Sequence, residues 1–292
     1  MIKKIYTFGT SFTQGGGFEF DVMPPKFKKI YEIFDEEEQS QENFSYPGQL
    51  KKLLPNVEVF NLAKSGYGNE RMYRKAIDLV LSDSFNSDDT LFLLEFSYLG
   101  RKEFYSKKLK DFIVVNYNNV ENKSILNGYA RTYRQSQYLS DKDISKLPSN
   151  DFFEKFVEKT FDENIQVDLM HFNNLKFLSF LNERNINYLF TQKPMMFPTR
   201  VNLDNYHIET HEIKTFRNSS FLSELDETSI DYETEGIYSD THFGLSGSKY
   251  VASKIFDELI DRKKIKGNKL NQKLSDFSYI KKKIKLNSGN IL

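Results

Sequence analysis

The chain has 292 residues, with 41 basic against 41 acidic side chains, 27 Phe, 17 Tyr, no Trp and no Cys. Balanced charge argues against a general nucleic-acid binder. The absence of cysteine excludes disulfides, thiol nucleophiles and thiolate metal sites, so any chemistry here is oxygen-based.

A hydrophobic content of 39% is enough for one large core. The expected organisation is a single α/β domain over residues 1–263, with insertions at about 20–43 and 106–164, followed by a basic C-terminal extension, 264–292. No stretch approaches the roughly 18 apolar residues of a membrane span, and the N-terminus has no apolar region of signal-peptide length. The expectation is a cytoplasmic protein without membrane contact, with association in a larger particle left open.

The first element is an apolar, β-prone run at residues 2–8. It leads into Gly9-Thr10-Ser11 and later Gly15-Gly16-Gly17, where the backbone can turn sharply. Ser11 therefore falls at the C-terminal end of the first strand, the edge on which open α/β folds build their sites. Residues 23–43 carry Pro24-Pro25 and the acidic run Asp35-Glu36-Glu37-Glu38, and extend the loop after Ser11. Tyr46-Pro47 starts a helix over 44–54, proline being tolerated in a first turn.

An alternating run at 57–62 ends at Asn61 and breaks into a loop holding Gly66 and Gly68. Of the two, Gly68 is the better fit to a simple turn glycine. A helix follows over 70–81, then a strand over 90–96 and the segment Ser97-Tyr98-Leu99-Gly100-Arg101. Residues 106–164 are polar and break the strand–helix rhythm; attached, like the first insertion, to a strand C-terminal end, they are expected on the site's side.

In 167–181, Leu169, Phe172, Leu175 and Leu178 suggest a buried helix face, which makes His171 structural. A fourth strand is predicted at 186–191. His207 and His211 have spacing for two ligands on a helix but lack an adjacent glutamate and a third ligand, so neither a metal nor a cofactor is expected. The last predicted helix has Val251, Ile255 and Leu259 at helical spacing. Asp240 and His242 fall in the loop just before it. Together with Ser11 they supply a nucleophile, a base and a carboxylate to orient the base.

A Gly-x-Ser near the N-terminus and an Asp-x-His before a C-terminal helix resemble the SGNH, or GDSL-like, hydrolase family, over residues 1–105 and 180–259. The resemblance implies a three-layer α/β/α sandwich around a mostly parallel, flavodoxin-like sheet, and an esterase with Ser11 as nucleophile, His242 as base and Asp240 as its partner. It further implies that the Gly66 amide, with that of Ser11, donates to the oxyanion. The family's first block reads Gly-Asp-Ser, and here Thr10 replaces the aspartate. Its third block carries an asparagine whose position falls near Leu99, which cannot donate; Asn69 and Arg101 are the candidate substitutes.

The leading expectation is a serine-dependent hydrolase of a small-molecule or carbohydrate ester, by analogy an O-acetyl group on a sugar. The alternatives are a binding or structural module on the same scaffold with weakened catalysis, and an O-acyltransferase using the same nucleophile.

Overall fold

The computed structural model describes residues 1–16, 32, 34, 39–97, 101–107, 110–116, 163–191, 244–280, 282 and 283. Four strands form where the apolar runs lie: β1 (Lys4–Phe8), β2 (Glu58–Asn61), β3 (Thr90–Leu94) and, after the antiparallel pair β4 (Arg101–Ser106) and β5 (Asp111–Asn116), β6 (Asn187–Phe190). β1, β2, β3 and β6 make a parallel sheet in the order β2-β1-β3-β6, with Ile5 paired to Val59 and Leu91, and Leu93 to Leu189. The chain is thus α/β with a parallel sheet, as its strand–helix alternation leads one to expect.

Successive strand residues face opposite sides of a sheet, and the core divides accordingly. Ile5, Val59, Leu91, Leu93 and Leu189 lie in one cluster with helices α3 (Tyr46–Leu53) and α6 (Leu245–Asp261). Phe8, Phe92, Leu94, Tyr188 and Phe190 lie in the other, with α4 (Asn69–Val80) and α5 (Glu163–Glu183). Two short helices, α1 (Ser11–Gln14) and α2 (Gln41–Phe44), precede α3. α3 begins as its sequence requires: the Ser45 hydroxyl accepts from Gly48 N at 3.3 Å, and Pro47 stands in the first turn.

The connection from β1 to its neighbour β2 therefore runs over one face, and the connections out of β2 and β3 run over the other. That reversal between β1 and β3 is a topological switch point, the place at the strand C-terminal ends where open α/β sheets take their ligands.

Three expectations change. The helix face containing His171 is not the one anticipated: Leu169, Phe172 and Leu175 are 44%, 54% and 41% exposed, whereas Met170, Asn174, Phe177, Leu178 and Leu181 are buried. Each step of three residues falls about 60° short of a full turn, so Leu169 and Leu178 point about 180° apart. His171 is half-buried.

The start of the 106–164 insertion, expected only to break the strand–helix rhythm, forms an antiparallel hairpin of β4 with β5. It docks on α4, Arg74 meeting Glu103 at 3.0 Å and Lys102 meeting Glu70 at 3.1 Å, while the Arg74 guanidinium lies over the Phe112 ring at 3.9 Å. Burial raises the Glu103 carboxyl pKa, and the Arg74 contact opposes the rise. Finally, the basic extension after 263 contributes to the core through Ile265, Phe277 and Ile280, and Asp257 of α6 accepts from the amides of Leu270 at 2.6 Å and Asn271 at 2.9 Å. Its lysines sit between buried apolar anchors. Among the described residues, no helix is long and apolar enough to cross a membrane.

The two-faced core makes a direct prediction. Leu93→Ala, at a fully buried central-strand position, should destabilise the protein by about 2–5 kcal/mol. Phe60→Ala, on the β2 edge where the ring is 37% exposed and stacks on Tyr6, should cost no more than about 1.5 kcal/mol beyond its lost burial. Urea denaturation with an unchanged m-value checks both.

Candidate active site

Ser11 starts α1 directly beyond the end of β1, at the switch point, and is 6% exposed. Thr10 takes the N-cap position in extended geometry (φ −105°, ψ −151°), but its side chain makes no capping bond. The single helical turn closes at Gly15, with φ +92°, whose N–H donates to Ser11 O at 2.9 Å. A left-handed closure of this kind favours glycine.

The cap comes instead from another strand. Glu95, one residue past β3 and 3% exposed, accepts from Thr10 N at 3.2 Å and Thr13 N at 3.0 Å, and from the hydroxyls of both threonines. The Thr10 hydroxyl is thereby turned away from its own helix. These four donors satisfy a carboxylate that has lost its water, and they take up orphan amides of the first turn. Between them, the Ser11 N–H has no acceptor among the described residues.

Glu95 also explains Gly9: a Cβ there would stand 2.6 Å from Glu95 Oε2 and 2.7 Å from Glu95 Cβ. Beneath the turn, the Tyr46 hydroxyl lies 2.9 Å from Thr13 Oγ1 and 3.5 Å from Thr191 Oγ1. Since Thr13 gives its proton to Glu95, Tyr46 is the donor to Thr13. Burial first, and then the nearby Glu95 charge, raise the Tyr46 pKa above the ordinary phenol value, so the hydroxyl keeps its proton through the neutral range.

The loop after β2 is fastened against this turn. Lys64 N donates to Gly9 O at 3.2 Å, Ser65 N to Gln14 Oε1, and Asn61 Nδ2 to Thr13 O at 3.0 Å. Tyr67 N closes a turn on Lys64 O at 3.4 Å, with Gly66 at its third position and φ +80°, a type II arrangement. Gly66, rather than Gly68, is thus the turn glycine, and it stands in the loop bound to the Ser11 turn. Gly68 is extended at the start of α4, where a Cβ would lie 2.5 Å from the carbonyl oxygen of Arg101.

Asn69, the first residue of α4, is buried, and its Oδ1 accepts from Ser97 N at 2.6 Å. This fixes the amide so that its nitrogen faces away from Ser97, with no acceptor among the described residues. Arg101 opens β4 and is half-buried beside Gly68. Asn69 thus follows the Gly66–Gly68 loop directly, and the Arg101 backbone packs against Gly68. Alongside, a cleft of about 530 Å³ follows the β2 edge, lined by Gln14, Gln41, Lys51, Phe60 and Asn61 among others.

Asp240, His242, Leu99, His207 and His211 lie outside the described residues, as does most of the 20–43 insertion. The C-terminal end of α6 is tied to the N-terminal edge of the sheet: Ile2 N donates to Lys264 O at 3.0 Å and Lys264 Nζ to Asn187 Oδ1 at 2.5 Å. Leu245, at its other end, is buried in the core cluster that also holds Phe12 and Tyr46. No cluster of three His, Cys, Asp or Glu side chains suited to a metal ion occurs among the described residues.

Glu95, Thr13 and Tyr46 carry no motif in the sequence. The one available signal is Glu95 itself, a lone charge ending the apolar strand Thr90-Leu91-Phe92-Leu93-Leu94. The chain matches no protein-family model and no curated protein.

The packing at Gly9 and the positive φ at Gly66 set different tolerances. Gly9→Ala should be the more damaging, because the added methyl meets a buried carboxylate held on four sides. Gly66→Ala should cost about 1–2 kcal/mol for the left-handed backbone alone. Chemical denaturation compares them, and a Gly9→Ala variant as stable as wild type would contradict the close approach of Glu95.

Proposed function

We propose that this chain is a divergent SGNH-type serine hydrolase that cleaves an ester. The observation carrying this reading is that Ser11 stands at the switch point of the sheet with its N–H uncommitted among the described residues, in a turn bound directly to the Gly66 loop. A nucleophile and two convergent backbone donors are what acyl transfer needs at one carbonyl.

In the proposed reaction Ser11 Oγ attacks the acyl carbon while His242 takes its proton, and Asp240 orients and stabilises the imidazolium. The carbonyl oxygen becomes an oxyanion received by the Ser11 and Gly66 amides, with Asn69 Nδ2 or the Arg101 guanidinium as third donor. The tetrahedral intermediate collapses with loss of the alcohol, which takes the proton from His242. Water, activated by the same histidine, then releases the acid and restores Ser11.

Of the two third-donor candidates, Asn69 has the stronger support, because Ser97 N holds its acceptor end and leaves the NH₂ group to donate. A carbohydrate O-acetyl ester is the proposed substrate class: the adjoining cleft carries the partly exposed Phe60 ring, suited to a sugar face, and the Gln14 Nε2 and Gln41 Oε1 ends of two amides whose other ends are held by Ser65 N and Gly15 O.

Steady-state hydrolysis of 4-nitrophenyl acetate tests the assignment. Ser11→Ala and His242→Ala should each lower kcat/KM by about 10³-fold or more. Asn69→Ala should lower kcat by about 10²- to 10³-fold with little change in KM if it completes the oxyanion hole. The same loss in Arg101→Ala, with Asn69→Ala unaffected, transfers that role to the arginine.

A further inference from the structure

The acid that braces the Ser11 turn comes from a different strand than the turn itself. With Thr10 preceding Ser11, no carboxylate is present within Gly9-Thr10-Ser11. One is nevertheless buried against it: Glu95, 85 residues away from Thr10 in the chain, accepts from the amides and hydroxyls of both Thr10 and Thr13. The two sets of bonds bracket Ser11 from the residue before it and the residue two after.

We propose that Glu95 is a positioning residue for the Ser11 nucleophile, setting the orientation of its amide and hydroxyl from the end of β3. This inference rests on the hydrolase reading of the same site and adds to it the group that holds the serine in register.

α1 is a single turn of four residues, too short to persist on its own sequence, since helix nucleation is unfavourable and propagation has only begun. Its geometry must come from outside. Glu95 N continues the β1–β3 ladder by donating to Phe8 O at 2.8 Å, so the carboxylate is carried by a backbone already locked to β1. Gly9, lacking a Cβ, allows the carboxylate to approach the turn. Tyr46, anchored on α3, donates to Thr13 and orients the hydroxyl that Glu95 receives.

The Ser11 amide and the Gly66 loop are thus held on two bonded frames that meet at Gly9 O and Gln14 Oε1. A shift of about 1 Å at a reacting group can cost about 10²-fold in rate. Loosening the turn should therefore appear in kcat well before it appears in substrate binding. A purely stabilising role would instead lower the folded fraction and leave the kcat of the folded enzyme unchanged.

The test is steady-state hydrolysis of 4-nitrophenyl acetate by the full chain, with each variant's folded fraction fixed by denaturation. Glu95→Gln keeps the shape but turns an NH₂ group toward donors. It should lower kcat by about 10- to 10²-fold while KM stays within about twofold. Thr10→Asp alone places a second carboxylate beside Glu95 and should also lose activity. The double variant Thr10→Asp/Glu95→Gln returns an acid to the turn and should recover about tenfold of the Glu95→Gln loss, a rescue that a general packing defect does not give.

If Glu95→Gln does not fold, Thr10→Val and Thr13→Val replace it, each removing one hydroxyl donor at near-constant volume, with a several-fold kcat loss expected at unchanged KM. An active wild type whose kcat is untouched by these changes overturns the positioning role alone. A folded wild type without turnover overturns the hydrolase reading, and the positioning role with it.

Discussion

A buried carboxylate with four donors holds the site together. Glu95 lies where the chain leaves β3, and removal from water leaves it dependent on protein hydrogen bonds. It obtains all four from the turn after β1. That one group ties the ends of two neighbouring strands together and dictates a glycine at position 9. It also brings Thr13 over Tyr46, and Tyr46 reaches toward Thr191 at the end of β6. Leaving any of these donors opposite a non-acceptor would strand buried polar groups, at about 1–3 kcal/mol each. The arrangement is correspondingly over-determined.

The sheet topology gives this polar cluster its importance. With the order β2-β1-β3-β6 and helices α3 and α6 on one face against α4 and α5 on the other, the switch point falls between β1 and β3. Ser11 follows one of these strands and Glu95 follows the other. The loop after β2 joins them through Lys64 and Ser65, and α4 then carries Asn69 back to Ser97, two residues past Glu95. The proposed nucleophile and oxyanion donors thus come from separate segments at one sheet edge, and bonds between those segments fasten the turns that carry Ser11, Gly66 and Asn69.

Much of the frame was legible in the sequence. The four parallel strands and the helices beginning at Tyr46 and Asn69 fall within a few residues of their predicted limits, because alternation and helical spacing are local signals. The positions of Ser11 and Gly66, in the turns that follow β1 and β2, were legible for the same reason. Glu95 was not. Its partners are more than 80 residues away, and nothing in the strand's composition says which turn it will brace. The exposed side of α5 was misread from a three-residue ladder that drifts around the helix, and the basic segment after 263 hid its apolar anchors among lysines. Gly68 looked like the turn glycine because its role, close approach to the Arg101 carbonyl, is a tertiary contact.

Ser11 as a reactive nucleophile is the claim on which the functional reading stands. Its most direct measurement is intact-mass analysis and peptide mapping after incubation of the folded full chain with a fluorophosphonate probe. A single covalent adduct on Ser11, lost in Ser11→Ala and strongly slowed in His242→Ala, is the predicted result. A folded wild type that acquires no adduct, or one that carries it on a different serine, would contradict the assignment.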